Sequence, residues 1–226
     1  MNVAIVVAAG KGTRLGGNRP KQFLELDGIP VIIRTLEQFE RCRKIHEVVI
    51  VLPAEETAGF QSLAQQFGLR KLARVIAGGE TRARSVQRGL ASIPEAEIVA
   101  VHDGVRPLVT PEEIDQVVVA ARASGAAILV APVADTIKEI KDGRIVDTLP
   151  RIKLRRALTP QCFRFDLLKR AYDQLTEIEG EGLEVSDDCL LMERLGVEIV
   201  AVEGSARNIK ITREEDLVLG ESLLKF

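Results

Sequence analysis

The run Val3-Ala4-Ile5-Val6-Val7-Ala8-Ala9-Gly10-Lys11-Gly12-Thr13-Arg14-Leu15-Gly16 decides how this chain is read. Its first half is short, apolar and rich in β-branched residues, which suits a strand buried on both faces. It passes directly into glycines, where the backbone can approach a ligand closely and successive amide N–H groups form a concavity for anions. Lys11, Arg14, Arg19 and Lys21 put four cations in the same stretch. In open α/β sheets, ligands collect just beyond the carboxyl ends of the strands, and this loop stands at such a point. Two familiar phosphate loops are excluded by spacing. A P-loop closes on Lys followed by Ser or Thr at the start of a helix, and Lys11 comes too early. A dinucleotide fingerprint needs a helix opening inside the glycines and an acid at the end of the second strand. Here helical spacing first begins near Pro30 and the second strand runs into Leu52-Pro53. An NAD-binding oxidoreductase is set aside for this reason, leaving a long basic loop with Gly10 and Gly12, suited to wrapping a triphosphate.

Outward from that loop, further Val- and Ile-rich runs recur at Val48–Leu52, Glu97–Val101, Ala127–Ala131 and Val197–Val202, separated by stretches with helical spacing. That alternation predicts an α/β fold, a Rossmann-like three-layer sandwich with a mainly parallel sheet. The stretch Val31–Arg41 sets Ile32, Ile33, Leu36 and Phe39 on one side of a helix. Thr110-Pro111-Glu112-Glu113 supplies an N-cap, a first-turn proline and first-turn acids for a helix ending near Gly125. Two more helices are read at Asp187–Leu195 and Thr212–Leu224, the latter with Thr212 and Glu215 as a capping box. One segment breaks the pattern. Thr136–Thr148 alternates around Asp142-Gly143, a dipeptide made for a tight hairpin turn. It predicts a protruding β-arm at about 136–158. A hairpin with nothing covering it is marginal in water, so a homodimer through the arm is expected. With 226 residues and no linker or repeat, the chain is read as one domain spanning 1–226.

Composition narrows the partners. There are 31 basic and 33 acidic side chains, no Trp and one Tyr, Tyr172. Such a chain has neither the net field nor the stacking residues for nucleic acid, and no membrane partner is expected. Cys42, Cys162 and Cys189 stand apart, without a Cys-x-x-Cys pair or a His cluster, so no disulfide framework or zinc site is encoded. Val3–Ala9 is too short for a membrane span or a signal peptide. A cytoplasmic location is expected.

The opening Ala-Ala-Gly-x-Gly-x-Arg-x-Gly, followed by Pro20-Lys21-Gln22-Phe23, resembles the nucleotidyltransferases that activate sugar and polyol phosphates. Five further blocks are similar to one family among them, the 2-C-methyl-D-erythritol 4-phosphate cytidylyltransferases. They are Gly78-Gly79-Glu80-Thr81-Arg82-x-x-Ser85-Val86, Val101-His102-Asp103-Gly104-x-Arg106-Pro107, Pro132-Val133-x-Asp135-Thr136, Leu158-Thr159-Pro160-Gln161 and Asn208-Ile209-Lys210-Ile211-Thr212. The resemblance runs from residue 3 to about 219. It departs at Val105, where Ala is expected, and at Ser186, where Thr usually precedes the paired acids; bulk at Val105 bears on the polyol site.

The resemblance implies that a substrate phosphate oxygen attacks the α-phosphorus of CTP and pyrophosphate leaves. An anionic nucleophile needs no side-chain base, so alignment and charge stabilisation must do the catalysis. Arg14 and Lys21 suit that task, and Lys210 is implied to approach the α-phosphate from the far end of the chain. Nucleotide contacts are implied at Ala8, Ala9, Gly10, Gly12, Gly79, Arg82 and Ser85, with Ser85 equally readable as a helix N-cap. The polyol phosphate is implied to meet Asp103, Arg106, Thr136, Arg151, Thr159 and Lys210, several reaching across from a partner subunit. Asp103 is the implied ligand for Mg²⁺, an ion that takes one or two carboxylates plus phosphates. His102 is read as structural, and Arg155 and Arg156 as a solvated basic turn. The nearest rival is a cytidylyltransferase for ribitol 5-phosphate. A rival of another class, a silent nucleotide sensor, would be expected to have lost Lys21, Lys210 or Asp103.

Overall fold

A computed structural model describes residues 1–10 and 20–225. The chain begins with β1 (Asn2–Val7), a small ladder of β2 (Glu25–Leu26) and β3 (Ile29–Pro30), and α1 (Val31–Arg41). It continues through β4 (Glu47–Leu52), α2 (Thr57–Gln66), β5 (Leu72–Ala77), α3 (Arg82–Ala91), β6 (Ile98–Asp103), α4 (Pro111–Ser124) and β7 (Ala126–Pro132). After β8 (Ile137–Lys141) and β9 (Arg144–Leu149) come β10 (Arg155–Arg164), α5 (Phe165–Asp173), α6 (Leu175–Gly180), α7 (Asp188–Arg194), β11 (Val200–Glu203) and α8 (Glu214–Leu224).

Seven strands form one sheet in the order β11-β7-β10-β6-β1-β4-β5, parallel except where β10 runs against β6 and β7. The period-2 geometry of a strand explains why its central runs are apolar throughout. Val3, Ile5 and Val7, with Val49, Val51, Val99 and Val101, face α3, α5, α6 and α7. Ala4, Val6 and Ala8, with Val48, Ile50, Leu52, Ile98 and Ala100, face α1, α2 and α4. Each fully buried Val, Ile or Leu contributes about 1.5–3 kcal/mol relative to exposure, so both faces of β1 must stay apolar. The result is the expected three-layer α/β sandwich.

Local signals account for the helix ends. Thr110 and Glu113 form a reciprocal capping box, with Glu113 N–H donating to Thr110 Oγ1 at 3.2 Å and Thr110 N–H donating to Glu113 Oε2 at 2.8 Å. Gly125 ends α4 at φ 95°, a left-handed position that favours glycine. In the arm, Asp142 and Gly143 take φ 51° and 74°, the paired positive angles of a two-residue hairpin turn.

Four expectations need correction. Helix α8 is capped by Asp216 rather than Glu215: its carboxylate accepts from Thr212 N–H, Thr212 Oγ1 and Arg213 N–H. Ser85 lies inside α3, and Thr81 is the N-cap, its Oγ1 accepting from Arg84 N–H at 3.1 Å. The arm's paired strands span 137–149, and by Arg155 the chain has entered the main sheet as β10. Arg155 and Arg156 are therefore strand residues opposite Pro132 and Ala131, with Arg155 paired to Glu203 at 2.7 Å. Strand β10 is hidden in the sequence because Pro160 stands inside it, and proline argues against a central strand. The sheet admits it at a register shift between Ala157 and Gln161. Edge strand β5 is obscured by Arg74, which breaks its apolar run and pairs with Glu47.

Candidate active site

Three loops converge at the carboxyl edge of the sheet, after β1, β5 and β6. Their close approach requires glycine: a Cβ on Gly78 would stand 2.2 Å from Ala9 Cβ, and one on Gly104 would stand 2.8 Å from Ala8 Cβ. The pocket they enclose is bordered by Val7 to Gly10, Lys21, Gln22, Gly79 to Arg82, Ser85, Asp103, Val105 and Lys210. Gly12 and Arg14 lie outside the described residues.

Asp103 ends β6 and is nearly buried, gathering three cations. Arg82 Nε donates to Oδ1 at 3.1 Å, Arg106 Nε donates to Oδ2 at 3.3 Å, and Lys210 Nζ lies 3.0 Å from Oδ2. Burial by itself would raise the carboxyl pKa, but Arg82, then Lys210 and Arg106, outweigh it and hold the group well below the usual carboxylate range. Burial likewise opposes the charge on Arg82, yet Asp188 and Asp103 more than offset it and raise its pKa. Both groups stay charged at any working pH.

The backbone around Asp103 is held just as firmly. Thr159 Oγ1 accepts from Asp103 N–H at 3.1 Å and lies 2.9 Å from His102 Nδ1, while His102 Nε2 is 3.2 Å from the Arg106 carbonyl. These contacts suit a neutral imidazole with its proton on Nε2, so that Thr159 donates to Nδ1. Burial pushes the His102 pKa down to about 3, against weaker support from Asp103. His102 sits edge-on to Phe39, with ring centroids 5.0 Å apart. This is a packing residue, in keeping with its structural reading.

Lys210 reaches the pocket because the segment before α8 is pinned. Ile211 N–H donates to the Val105 carbonyl at 2.8 Å, and Val105 packs with Leu26, Val31 and Ile211 in a small core of their own. The bulk at Val105 thus supports the strand of chain that carries Lys210. Asn208, fully buried, donates from Nδ2 to the Thr159 carbonyl at 2.9 Å, and its own carbonyl accepts from Arg106 Nη1 at 2.9 Å.

At the ends of β1 and β5, Ala8 N–H is committed to the Val51 carbonyl at 2.8 Å, and the Ala8 carbonyl accepts from Gln22 Nε2 at 2.7 Å. Ser85 Oγ accepts from Gly79 N–H at 3.1 Å and donates to the Thr81 carbonyl at 2.9 Å. It thereby holds the turn between β5 and α3 in shape. Of the residues singled out from sequence, Ala8, Ala9, Gly10, Lys21, Gly79, Arg82, Ser85, Asp103 and Lys210 border one pocket, with Arg106 and Thr159 bonded to Asp103 behind it. Thr136 and Arg151 do not border it; both are exposed at the root of the arm, where Arg151 Nη1 donates to the Ala134 carbonyl at 2.8 Å. Sequence reasoning gave no role to Gln22, Gln161, Asp188 or Asn208. Their signal was a polar side chain inside a motif block or paired-acid stretch noticed for its neighbours.

Among the described residues, no cluster of three His, Cys, Asp or Glu side chains could hold a metal unaided. Asp103 Oδ1 has one described donor and Oδ2 has two, so Oδ1 retains acceptor capacity. With three cations around a single carboxylate, a bare dication would be repelled. The donor set fits Mg²⁺ that arrives on a triphosphate, one carboxylate completing a shell otherwise made by phosphates and water.

A mainly parallel α/β sheet whose carboxyl edge gathers Asp103 and three cations beside the end of β1 has the architecture of a nucleotidyltransferase. The family model for 2-C-methyl-D-erythritol 4-phosphate cytidylyltransferase matches residues 2–225. The chain belongs to that family. It is 39% identical over 224 residues to the enzyme of that name from Bacillus cytotoxicus, covering 99% of this chain and 98% of the relative. It is 42% identical over 225 residues to the one from Pelotomaculum thermopropionicum, covering 98% and 93%. Among solved structures, 4-diphosphocytidyl-2C-methyl-D-erythritol synthase from Anaerococcus prevotii superposes with a TM-score of 0.87 at 28% identity, covering 100% of this chain and 96% of that one. The cytidylyltransferase from Thermus thermophilus gives 0.79 at 35% identity and 100% coverage of both.

Proposed function

We propose that this chain transfers the cytidylyl group of CTP to 2-C-methyl-D-erythritol 4-phosphate. The products are 4-diphosphocytidyl-2-C-methyl-D-erythritol and pyrophosphate, a step of the non-mevalonate route to isoprenoid precursors. The observation that carries this reading is the pocket in which Asp103, Arg82 and Lys210 meet the loops after β1 and β5, with Arg106 bonded to Asp103 behind it. Full-length family membership supports methylerythritol phosphate over ribitol phosphate.

In this reading the phosphate oxygen of the polyol attacks the α-phosphorus and the bond to the β-phosphate oxygen breaks, pyrophosphate leaving with that electron pair. No described side chain has to take a proton, which agrees with a buried, neutral His102. Lys210 and Lys21 stabilise negative charge on the transferring group, and Arg14 is proposed to join them from the glycine-rich loop. The half-exposed Lys210 ammonium, held at 3.0 Å by Asp103, is already oriented toward the pocket. Arg106 and Thr159 fix Asp103 toward the polyol. Mg²⁺ carried by the triphosphate, with Asp103 Oδ1 as its protein ligand, would neutralise the departing pyrophosphate.

Thr136 and Arg151 complete the polyol site by crossing from a second copy. Support comes from the arm: Ile140, Ile145, Val146 and Ile152 are all more than half exposed, with Ile152 at 81%, an apolar display that calls for a covering partner. A homodimer joined by the arms is therefore part of the proposal. A cytoplasmic location is part of it too, in keeping with three buried free thiols and no helix, among the described residues, long and apolar enough to cross a membrane.

The test is competition. Purified protein with CTP and Mg²⁺ is offered methylerythritol 4-phosphate and ribitol 5-phosphate, and kcat/KM is measured for each. Preference for the methylerythritol substrate is expected; preference for ribitol 5-phosphate would overturn the substrate assignment.

A further inference from the structure

A second carboxylate lies behind the pocket wall. Asp188 is fully buried at the start of α7. Its position is set by Gln161, whose Oε1 accepts from Asp188 N–H at 2.9 Å and Cys189 N–H at 3.2 Å, while its Nε2 donates to Asp187 Oδ2 at 2.9 Å. Gln161 follows the register shift in β10, so a motif residue of the sheet clamps the paired acids of α7. Tyr172 donates its hydroxyl to Asp188 Oδ1. Asp188 Oδ2 lies 2.9 Å from Arg82 Nη2, paired by charge though not aligned as a hydrogen bond.

Arg82 therefore bridges two carboxylates, Asp188 on one side and Asp103 on the other. A guanidinium is planar, so fixing Nε on Asp103 and Nη2 on Asp188 fixes the whole fork. The remaining nitrogen, Nη1, is buried without a hydrogen-bond partner among the described residues. A buried donor in this condition works against the fold, and it belongs to a side chain that borders the pocket. Stability alone explains such a pair poorly, because a buried ion pair is often no better for the fold than apolar residues of the same volume.

We propose that Asp188 is a positioning residue for the cytidylyl transfer: acting through Arg82, it sets the guanidinium so that Nε holds the Asp103 carboxylate in place at the pocket. This rests on the function proposed above. Tyr172 and Gln161 hold Asp188 itself. The chain Tyr172–Asp188–Arg82–Asp103 thus runs from the α5–α7 layer to the carboxyl edge of β6, and it couples packing on one face of the sheet to geometry in the pocket.

The test is a double-mutant cycle. Asp188→Asn keeps the shape and an acceptor for Tyr172 but removes the carboxylate charge that faces Arg82; it is expected to lower kcat/KM for CTP on the order of 100-fold, the scale of a small displacement in an aligned site. Tyr172→Phe should lower it less. In an Arg82→Gln background, Asp188→Asn should add less than about twofold, because its route to the site is already cut. An equal loss in both backgrounds, or a fall in Tm with unchanged kcat/KM per folded enzyme, would overturn the assignment. NMR of the Arg82 Nε–H supplies a readout independent of turnover and of whether Arg82→Gln folds. Slow exchange in the wild type and its loss in Asp188→Asn support the role; an unchanged signal refutes it. Absence of wild-type turnover with CTP and methylerythritol 4-phosphate would instead strike the proposed function, leaving the NMR result to judge the positioning role.

Discussion

The carboxyl edge of β6 and the β8–β9 arm stand at opposite extremes of organisation in one chain. At the edge, a single carboxylate is held by Arg82, Arg106 and Lys210 and its backbone by Thr159, groups drawn from α3, β10, the turn after β6 and the segment before α8. In the arm, two strands pair only with each other while Ile140 and Ile145 face outward at 66% and 65% exposure. Among the described residues, the edge draws these charges from within one subunit. The arm combines a paired backbone with an exposed apolar surface, and two expected substrate residues, Thr136 and Arg151, sit at its root. Hydrogen bonds and ion pairs are thus concentrated at the edge, and exposed apolar surface at the arm.

The largest effect is expected at Lys210. Its side chain is 40% exposed, so Lys210→Ala should leave Tm near the wild type. It should lower kcat by about 100- to 1,000-fold, the range for removing one donor to a developing charge. Near-normal turnover in steady-state kinetics would remove Lys210 from the reaction. The arm gives the next effect. Ile140→Glu with Ile145→Glu should yield monomers in sedimentation and cost roughly tenfold in kcat/KM for the polyol phosphate, about the worth of one charge-assisted contact. A mutant that stays dimeric, or a monomer with full activity, would separate the arm from the site.

The third effect is one of stability against pH. His102 has a folded pKa of about 3, below its unfolded value of about 6.5. Its neutral form is the one the fold accepts, so its contribution is whole above about pH 6.5 and is lost as pH falls toward 3. The expected slope approaches about 1.4 kcal/mol per pH unit in that window. Asp103, also depressed, joins only below about pH 4, where the unfolded carboxylate protonates. Denaturant unfolding from pH 7 to pH 4 reads the His102 part, and His102→Gln should flatten it.

Much of this was legible in the sequence, and the reasons are local. Strands buried on both faces announce themselves as apolar runs, and Thr110, Gly125 and Asp142-Gly143 name their own caps and turns. The cations of the pocket were legible through motif blocks. What escaped depends on long-range partners. Pro160 disguises β10, since only the sheet reveals the register shift that admits it. Asp216 rather than Glu215 caps α8, because the choice between neighbouring acids depends on where the chain before the helix turns. Asp188 is only one of two paired acids in the sequence, which does not show that Tyr172 of α5 and Arg82 of α3 meet it.

The proposed reaction moves the cytidylyl group of CTP onto a polyol phosphate in this pocket. Phosphorus NMR of wild-type protein with CTP, Mg²⁺ and methylerythritol 4-phosphate tests it most directly. The expected result is pyrophosphate and a new diphosphate diester appearing in equal amounts. Orthophosphate in place of pyrophosphate, or a spectrum that never changes, would contradict the account.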